Sequence, residues 1–291
     1  MKKTVFLFVL LIVTLLSGCV LHNAPPGPQQ EEYVAIPTEE EPIVGEEFSG
    51  TSAAPTEEDP EGSTTEQKPV EEQPATEEPE EKAYVRSKVD SLIVRSSPAS
   101  SSTRLGCLDA GDMVAFCGRE GNWYRTFYRG REAYVSANEV YTEKVNMERA
   151  VEPIETVISL GEKLLGTPYV YGAVRLHDGY GNKLKSFSVD EFDCSSYMQY
   201  IFYYGADVVL RSTTRTQVEQ GKTVKKTDLQ RGDLIFMTNS SRRDRTGIER
   251  IGHVAMYLGD DYILHTASDH AVIEKMTTSR WNNYITARRM I

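Results

Sequence analysis

Residues 20–82 confine folding to the rest of the chain. They hold 18 acidic side chains, only Lys68 and Lys82 to balance them, and 10 of the 13 prolines. Their only aromatics are Tyr33 and Phe48. Such a segment cannot bury enough apolar surface to offset the entropy of ordering it, so it reads as a disordered acidic tether. A flexible chain of this length spans about 45 Å, and proline and charge repulsion extend it. The net charge of −11 is therefore segregated. Residues 83–291 carry 28 basic and 25 acidic residues. That balance suits an anionic polymer as partner and lacks the basic stripe of a nucleic-acid binder.

Residues 1–19 read as a signal peptide: Lys2 and Lys3, then an apolar run from Val5 to Leu16. The run ends in Leu16-Ser17-Gly18-Cys19, which resembles the bacterial lipobox. That resemblance implies cleavage before Cys19, lipidation of its thiol and attachment to the membrane on its outer, wall-facing side. Each lipid methylene buried in the bilayer contributes about 0.8 kcal/mol.

Residues 83–143 alternate short β-type runs with turn signals: Ser-Leu-Ile-Val-Arg, Met-Val-Ala-Phe-Cys, Trp-Tyr-Arg-Thr-Phe-Tyr, Glu-Ala-Tyr-Val. A small barrel is expected. Leu92–Pro98, Leu108–Asp112, Gly121–Tyr124 and Ala133–Ser136 resemble bacterial SH3-like domains. That family implies a targeting or substrate-gating module, often for cell wall. Trp123 and Tyr124 are either a ligand platform or barrel core, with core the expectation for Trp123. Cys107 and Cys117 flank Asp112 evenly; they are a disulfide across a hairpin or two small buried side chains. After Pro153, Ile154, Val157, Ile158 and Leu160–Leu165 give an apolar face, so residues 144–165 are expected to form a helix. Residues 173–191 read as a polar loop that shapes specificity, and 210–217 as polar surface.

Residues 192–205, Phe-Asp-Cys-Ser-Ser-Tyr-Met-Gln-Tyr-Ile-Phe-Tyr-Tyr-Gly, read as a helix with a thiol in its first turn. Asp193 is the N-cap, Tyr197, Met198, Ile201 and Phe202 form the apolar face, and Gly205 closes the helix. The helix dipole is expected to lower the pKa of Cys194. On this stretch alone a buried structural cysteine is the alternative. Downstream, His253 and His265 lie on two strands around Gly259-Asp260-Asp261. A nucleophile, a base and an orienting residue follow in chain order. The two imidazoles share a sheet face if the loop has three residues, or if a bulge compensates for a shorter one. Arg231-Gly232-Asp233 spells an adhesion tripeptide but opens a strand, and it is discounted. The chain closes with a further apolar strand within 278–291.

Residues from about 153 to 291 resemble the NlpC-type cell-wall peptidases, papain-like cysteine endopeptidases. Five motifs carry the resemblance in order: Gly-Thr-Pro-Tyr-Val-Tyr-Gly (166–172), Asp-Cys-Ser-Ser (193–196), Leu-Gln-Arg-Gly-Asp-Leu-Ile-Phe (229–236), Ile-Gly-His-Val-Ala-Met-Tyr-Leu-Gly (251–259) and Ile-Leu-His-Thr-Ala (263–267). The family implies an α+β fold, with the nucleophile helix packed on an antiparallel sheet, over 144–291. It implies hydrolysis of peptidoglycan stem peptides, typically between γ-D-glutamate and a diamino acid, with no metal or other cofactor. Matched position by position, Cys194 is the nucleophile, His253 the base and His265 the orienting residue, while Tyr169, Asp193 and Ser195 line the substrate site. Three departures bear on specificity: Ser196 for a usual Gly, Arg211-Ser212 for a usual Pro-Arg, and a longer 173–191 loop. Three alternatives remain: a catalytically inactive wall-binding lipoprotein, acyl transfer through the same thioester, and a zinc site made of Cys194, His253 and His265. A monomer is expected.

Overall fold

In the computed structural model residues 80–291 are described. Residues 1–79, where the signal peptide, the lipidated Cys19 and most of the tether are expected, lie outside the described residues. All that follows belongs to one compact unit, Thr76–Ile291.

The first strand, β1 (Glu81–Ser87), starts inside the segment read as tether and carries Lys82 and Tyr84 into the fold. β2 (Leu92–Arg95), β3 (Arg104–Leu108), β4 (Met113–Ala115), β5 (Arg119–Glu120), β6 (Trp123–Tyr128) and β7 (Arg131–Ser136) follow, as the turn signals predict. Sheet order β3-β2-β7-β6-β5 forms one wall of this module. Parity in β6 is opposite to the expectation. Tyr124 is core, whereas Trp123 is half-buried and lines an open groove of about 660 Å³ with Pro98, Asn122 and Asn138. Cys107 and Cys117 are not joined in a disulfide. Cys107 lies on β3 and Cys117 just beyond β4, where its amide donates to the Arg125 carbonyl of β6, and β3 and β4 are not paired as one hairpin.

Residues 142–148 are a strand, β8 (Thr142–Glu148), not the start of a helix. Val145 and Met147 alternate with polar neighbours, and the whole strand pairs antiparallel with β1. The helix α1 is confined to Ile154–Lys163. α2 (Cys194–Ala206) packs against it, with Tyr197, Met198, Ile201 and Phe202 fully buried. Each such side chain contributes about 1.5–3 kcal/mol through the apolar area it removes from water. Gly205 does not cap α2. It lies within the helix because a Cβ there would sit 2.7 Å from the Val157 Cα of α1. The left-handed closing residue is Asp207, at φ 53°.

A short helix, α3 (Thr214–Gln217), precedes β9 (Lys222–Val224), β10 (Leu234–Met237), β11 (His253–Gly259), β12 (Tyr262–Ala267) and β13 (His270–Lys275). Gln217 is fully buried, so the stretch expected on the surface turns inward. The last segment is a helix and a strand, α4 (Thr278–Asn282) and β14 (Tyr284–Arg289). These strands continue the sheet of the first module in the order β8-β1-β4-β13-β12-β11-β10-β14-β9. The junction is the pair Met113↔Ile273.

Two further contacts close the seam. Gly166, at φ +80°, leaves room for Tyr128 of β6, whose Cζ would lie 2.0 Å from a Cβ there. Arg129 Nε donates to the Gly166 carbonyl at 2.8 Å. Beside them runs a buried polar network: Arg231 donates to Glu155 and Tyr84, Tyr84 donates to Glu162 at 2.6 Å, and Lys82 pairs with Glu162 at 2.8 Å. The Arg231 side chain is 6% exposed, which removes it from any adhesive role.

Candidate active site

The start of α2 is built by a capping box. Asp193 Oδ1 accepts from the Ser196 amide at 2.7 Å, and Ser196 Oγ accepts from the Asp193 amide at 2.9 Å. Ser196, the departure from the usual Gly, therefore completes the cap. Ser195 Oγ donates to the same Asp193 oxygen at 2.8 Å. Cys194 occupies the first helical position, as expected. The backbone amides of Val254, Ser195 and Cys194 favour the thiolate.

The acidity expected of this thiol is not what its surroundings produce. Burial, then the neighbouring Asp193 carboxylate, push Cys194 up to about 12. A helix terminus offers roughly half a unit charge, while the cap is a full negative charge and water is excluded. Burial also lowers His253 well below its ordinary value, helped by His265 and Arg280. Both shifts favour the neutral thiol and the neutral imidazole.

The histidines meet because of a bulge. Asp260 and Asp261, both at positive φ, form a two-residue turn rather than the three-residue loop. The register then shifts between Tyr257 and Gly259, which restores the pairing Met256↔Leu264. Continued two residues on, that register sets His265 diagonal to His253 on one face. His253 Nε2 and His265 Nδ1 are 2.8 Å apart, with ring planes at 74°. His265 is 1% exposed, and its Nε2 lies 2.7 Å from Glu274 Oε1 on β13. Arg280 of α4 donates to the same oxygen. With both ring nitrogens engaged, His265 has no lone pair for zinc. Among the described residues no His, Cys, Asp and Glu side chains cluster in a metal-holding group.

Sequence reasoning missed Glu274. The signal was available: one acid in the strand Ala271–Glu274, at the parity that faces His265 once the register His265↔Val272 is known. Gln217 was missed as well. Its Nε2 donates to the Ser195 carbonyl at 2.9 Å and to the Arg211 carbonyl at 3.0 Å, bracing the turn that carries Cys194.

The expected substrate residues lie around the sulfur. Tyr169 forms a bridge with Phe192, and burial, then Cys194 and Asp193, push its hydroxyl up to about 12, so it stays protonated. Arg175, from the long loop, approaches Asp193 Oδ2 at 3.9 Å. That loop is only partly polar surface, since Ala173, Leu176 and His177 are buried. Ser212 Oγ donates to the Asp178 carbonyl at 2.6 Å, and the Arg211 guanidinium stands 4.3 Å from the Tyr180 ring centre. A Cβ on Gly179 would lie 2.6 Å from Ser212 Oγ. The longer loop and the Arg211-Ser212 departure fit one another.

The family model described as NlpC/P60 family matches residues 166–290, and the bacterial SH3 domain model matches 90–141. A probable endopeptidase of Haemophilus influenzae is 32% identical over 136 residues, 45% of this chain and 72% of that protein.

The chain belongs to the NlpC/P60 family.

Other NlpC/P60 relatives include the peptidoglycan DL-endopeptidase CwlO of Bacillus licheniformis, 30% identical over 44% of this chain and 26% of that protein. A γ-D-glutamyl-L-lysine dipeptidyl-peptidase of Bacillus cereus is 26% identical over 56% of this chain and 44% of that protein. The chain thus spans less than half of these two relatives. A crystal structure of an NlpC/P60 family protein from Bacillus cereus aligns with a TM-score of 0.39 and 21% identity, over 72% of this chain and 63% of that one.

Proposed function

We propose that this chain hydrolyses peptidoglycan stem peptides, at the bond between γ-D-glutamate and a diamino acid, through Cys194, His253 and His265. The observation that carries the reading is the hydrogen-bonded pair of imidazoles on β11 and β12, strands packed against the capped helix whose first residue is Cys194. The named activities of the relatives, which act on peptidoglycan and on γ-D-glutamyl-L-lysine peptides, supply the substrate class.

Because the resting pair is neutral, the proton leaves sulfur during attack. As Cys194 Sγ adds to the carbonyl carbon, its proton passes to His253 Nδ1, the ring nitrogen not committed to His265. The oxyanion is met by the amides of Cys194 and Ser195 at the helix start; one such donor is worth about 10²–10³ in rate. The C–N bond breaks, and the leaving amine takes the proton from His253. Water then attacks the thioester with His253 as base, releasing the acid and restoring the thiol. Asp193 and Ser195, with Tyr169 opposite, suit the free amino end of the stem peptide, since a carboxylate and two hydroxyls can accept from an ammonium.

In this reading the lipidated Cys19 holds the protein on the outer face of the membrane, and the segment between it and β1 lets the folded part reach the wall as a monomer. The purified protein is expected to split defined muropeptides, with products identified by mass. Cys194→Ala is expected to abolish cleavage and leave the thermal unfolding midpoint within a few degrees of wild type. Retained turnover in that variant refutes the assignment.

A further inference from the structure

The two imidazoles can share their proton in either of two directions, and only one of them leaves a base facing the thiol. In one, His253 donates from Nε2 to His265 Nδ1, and His253 Nδ1 is a bare acceptor. In the other, His265 donates from Nδ1, and His253 keeps its only proton on Nδ1, where it cannot accept one from sulfur. The 2.8 Å separation is the same in both.

We propose that Glu274 is a positioning residue that sets this direction, and that Arg280 in turn sets the orientation of Glu274.

The chain of necessity runs inward from β13. A carboxylate has no proton to donate, so the 2.7 Å contact requires His265 to carry hydrogen on Nε2. A neutral His265 then has a bare Nδ1, so the proton in the next contact belongs to His253 Nε2. A neutral His253 is left with a bare Nδ1 for Cys194. Two shifts agree with these charge states. Burial works against the Glu274 anion, yet His265 and Arg280 hold its carboxyl below the ordinary range. Burial keeps His265 below its ordinary value although Glu274 pulls the other way. The charged and titratable groups around the pair come from four directions: Arg280 on α4, His253 on β11, His270 at the start of β13, and Asp112, just before β4, with Asp269 acting on it.

Arg280 and His265 converge on one oxygen, Oε1. This gives variants of nearly unchanged volume that separate direction from packing. In Glu274→Gln, Arg280 still demands an acceptor, so the amide presents its oxygen and the direction survives. In the double variant Glu274→Gln with Arg280→Met, the amide is free to turn its NH₂ toward His265 and reverse the whole series. Arg280→Met alone keeps the carboxylate and keeps the direction.

The first test uses Cys194→Ala protein, so it does not depend on turnover. Nitrogen-15 spectra of the imidazoles are expected to show both rings protonated at Nε2 with wild-type Glu274, with Arg280→Met and with Glu274→Gln. The double variant is expected to move a large share of both rings to the Nδ1-protonated form. The second test restores Cys194 and rests on the proposed hydrolase reading. There kcat should fall about 100-fold in the double variant with KM nearly unchanged, while each single variant stays within about tenfold of wild type; a wrong tautomer in a related triad costs more still. Nδ1-protonated His253 in the wild-type ring spectra, or an unchanged tautomer in the double variant, overturns the inference. An absence of peptide cleavage by wild-type protein overturns the proposed function instead and leaves the ring spectra to decide this one.

Discussion

The neutral resting pair predicts an unusually sluggish thiol in the free protein. With its pKa pushed up to about 12, Cys194 is thiolate in roughly 3 molecules per 100,000 at pH 7.5, against about one in ten for an ordinary exposed cysteine. The deficit is about 3,000-fold. The more basic thiolate recovers roughly 40-fold through its higher intrinsic nucleophilicity. Alkylation of Cys194 by a small uncharged reagent should therefore run roughly 50- to 100-fold slower than that of a free thiol at this pH. Peptide-resolved mass spectrometry separates its labelling from that of Cys107 and Cys117. The ultraviolet thiolate band, taken as the difference between wild type and Cys194→Ala, should be missing at neutral pH. A preformed thiolate–imidazolium pair gives the opposite: labelling at pH 6 faster than a free thiol, on a plateau that continues to pH 8. That result refutes the dominance of burial and Asp193 over the helix dipole. The acid limb of kcat/KM belongs to His253, and burial places it below the ordinary imidazole range, so cleavage should persist into mildly acidic solution.

Two stability predictions follow from the seams. Gly205→Ala introduces a Cβ 2.7 Å from backbone of α1, so the helices must part; overpacking of about 1–3 kcal/mol outweighs the alanine's helix propensity gain of up to about 1 kcal/mol. A urea midpoint equal to or above wild type counts against that packing. Asp112 is raised to about 7 by burial foremost, with Glu274 and other carboxylates adding to it. Its folded pKa lies above its unfolded one, so stability from its protonated form is present at low pH and lost as pH rises through about 7. Asp112→Asn should then raise the melting temperature more at pH 8 than at pH 5, and an equal change at both pH values contradicts the shift.

The chemistry was legible where local rules decide it. Asp193 and Ser196 announce a helix start through backbone hydrogen-bonding needs alone, and strand parity places His253 and His265 on one face once a bulge is allowed. Features set by distant neighbours were not legible. Glycine near the end of an apolar helical run reads as a cap, yet Gly205 is there for Val157, 48 positions away. Val145 and Met147 carried a genuine two-residue period, hidden by the stronger helical run that follows. The acidity of Cys194 was misread for a different reason. Position on a helix is visible in sequence, but the exclusion of water around a sulfur is not, and here that exclusion outweighs the dipole.

The continuity of the long sheet changes what the first module can be. An SH3-like barrel tethered beside an enzyme would share only surface contacts with it. Here its β4 is hydrogen-bonded into the catalytic sheet at Met113↔Ile273, so the next pair outward sets Asp112 beside Glu274. One diagonal thus crosses four strands, from His253 on β11 through His265 and Glu274 to Asp112 at the start of β4. Two carboxylates this close cannot both ionise without penalty. Arg280 and His265 favour the charge on Glu274, while burial foremost, with Glu274 adding to it, raises Asp112 to about 7. The barrel's edge therefore carries a carboxyl whose titration is tied to Glu274, the carboxylate behind the imidazoles.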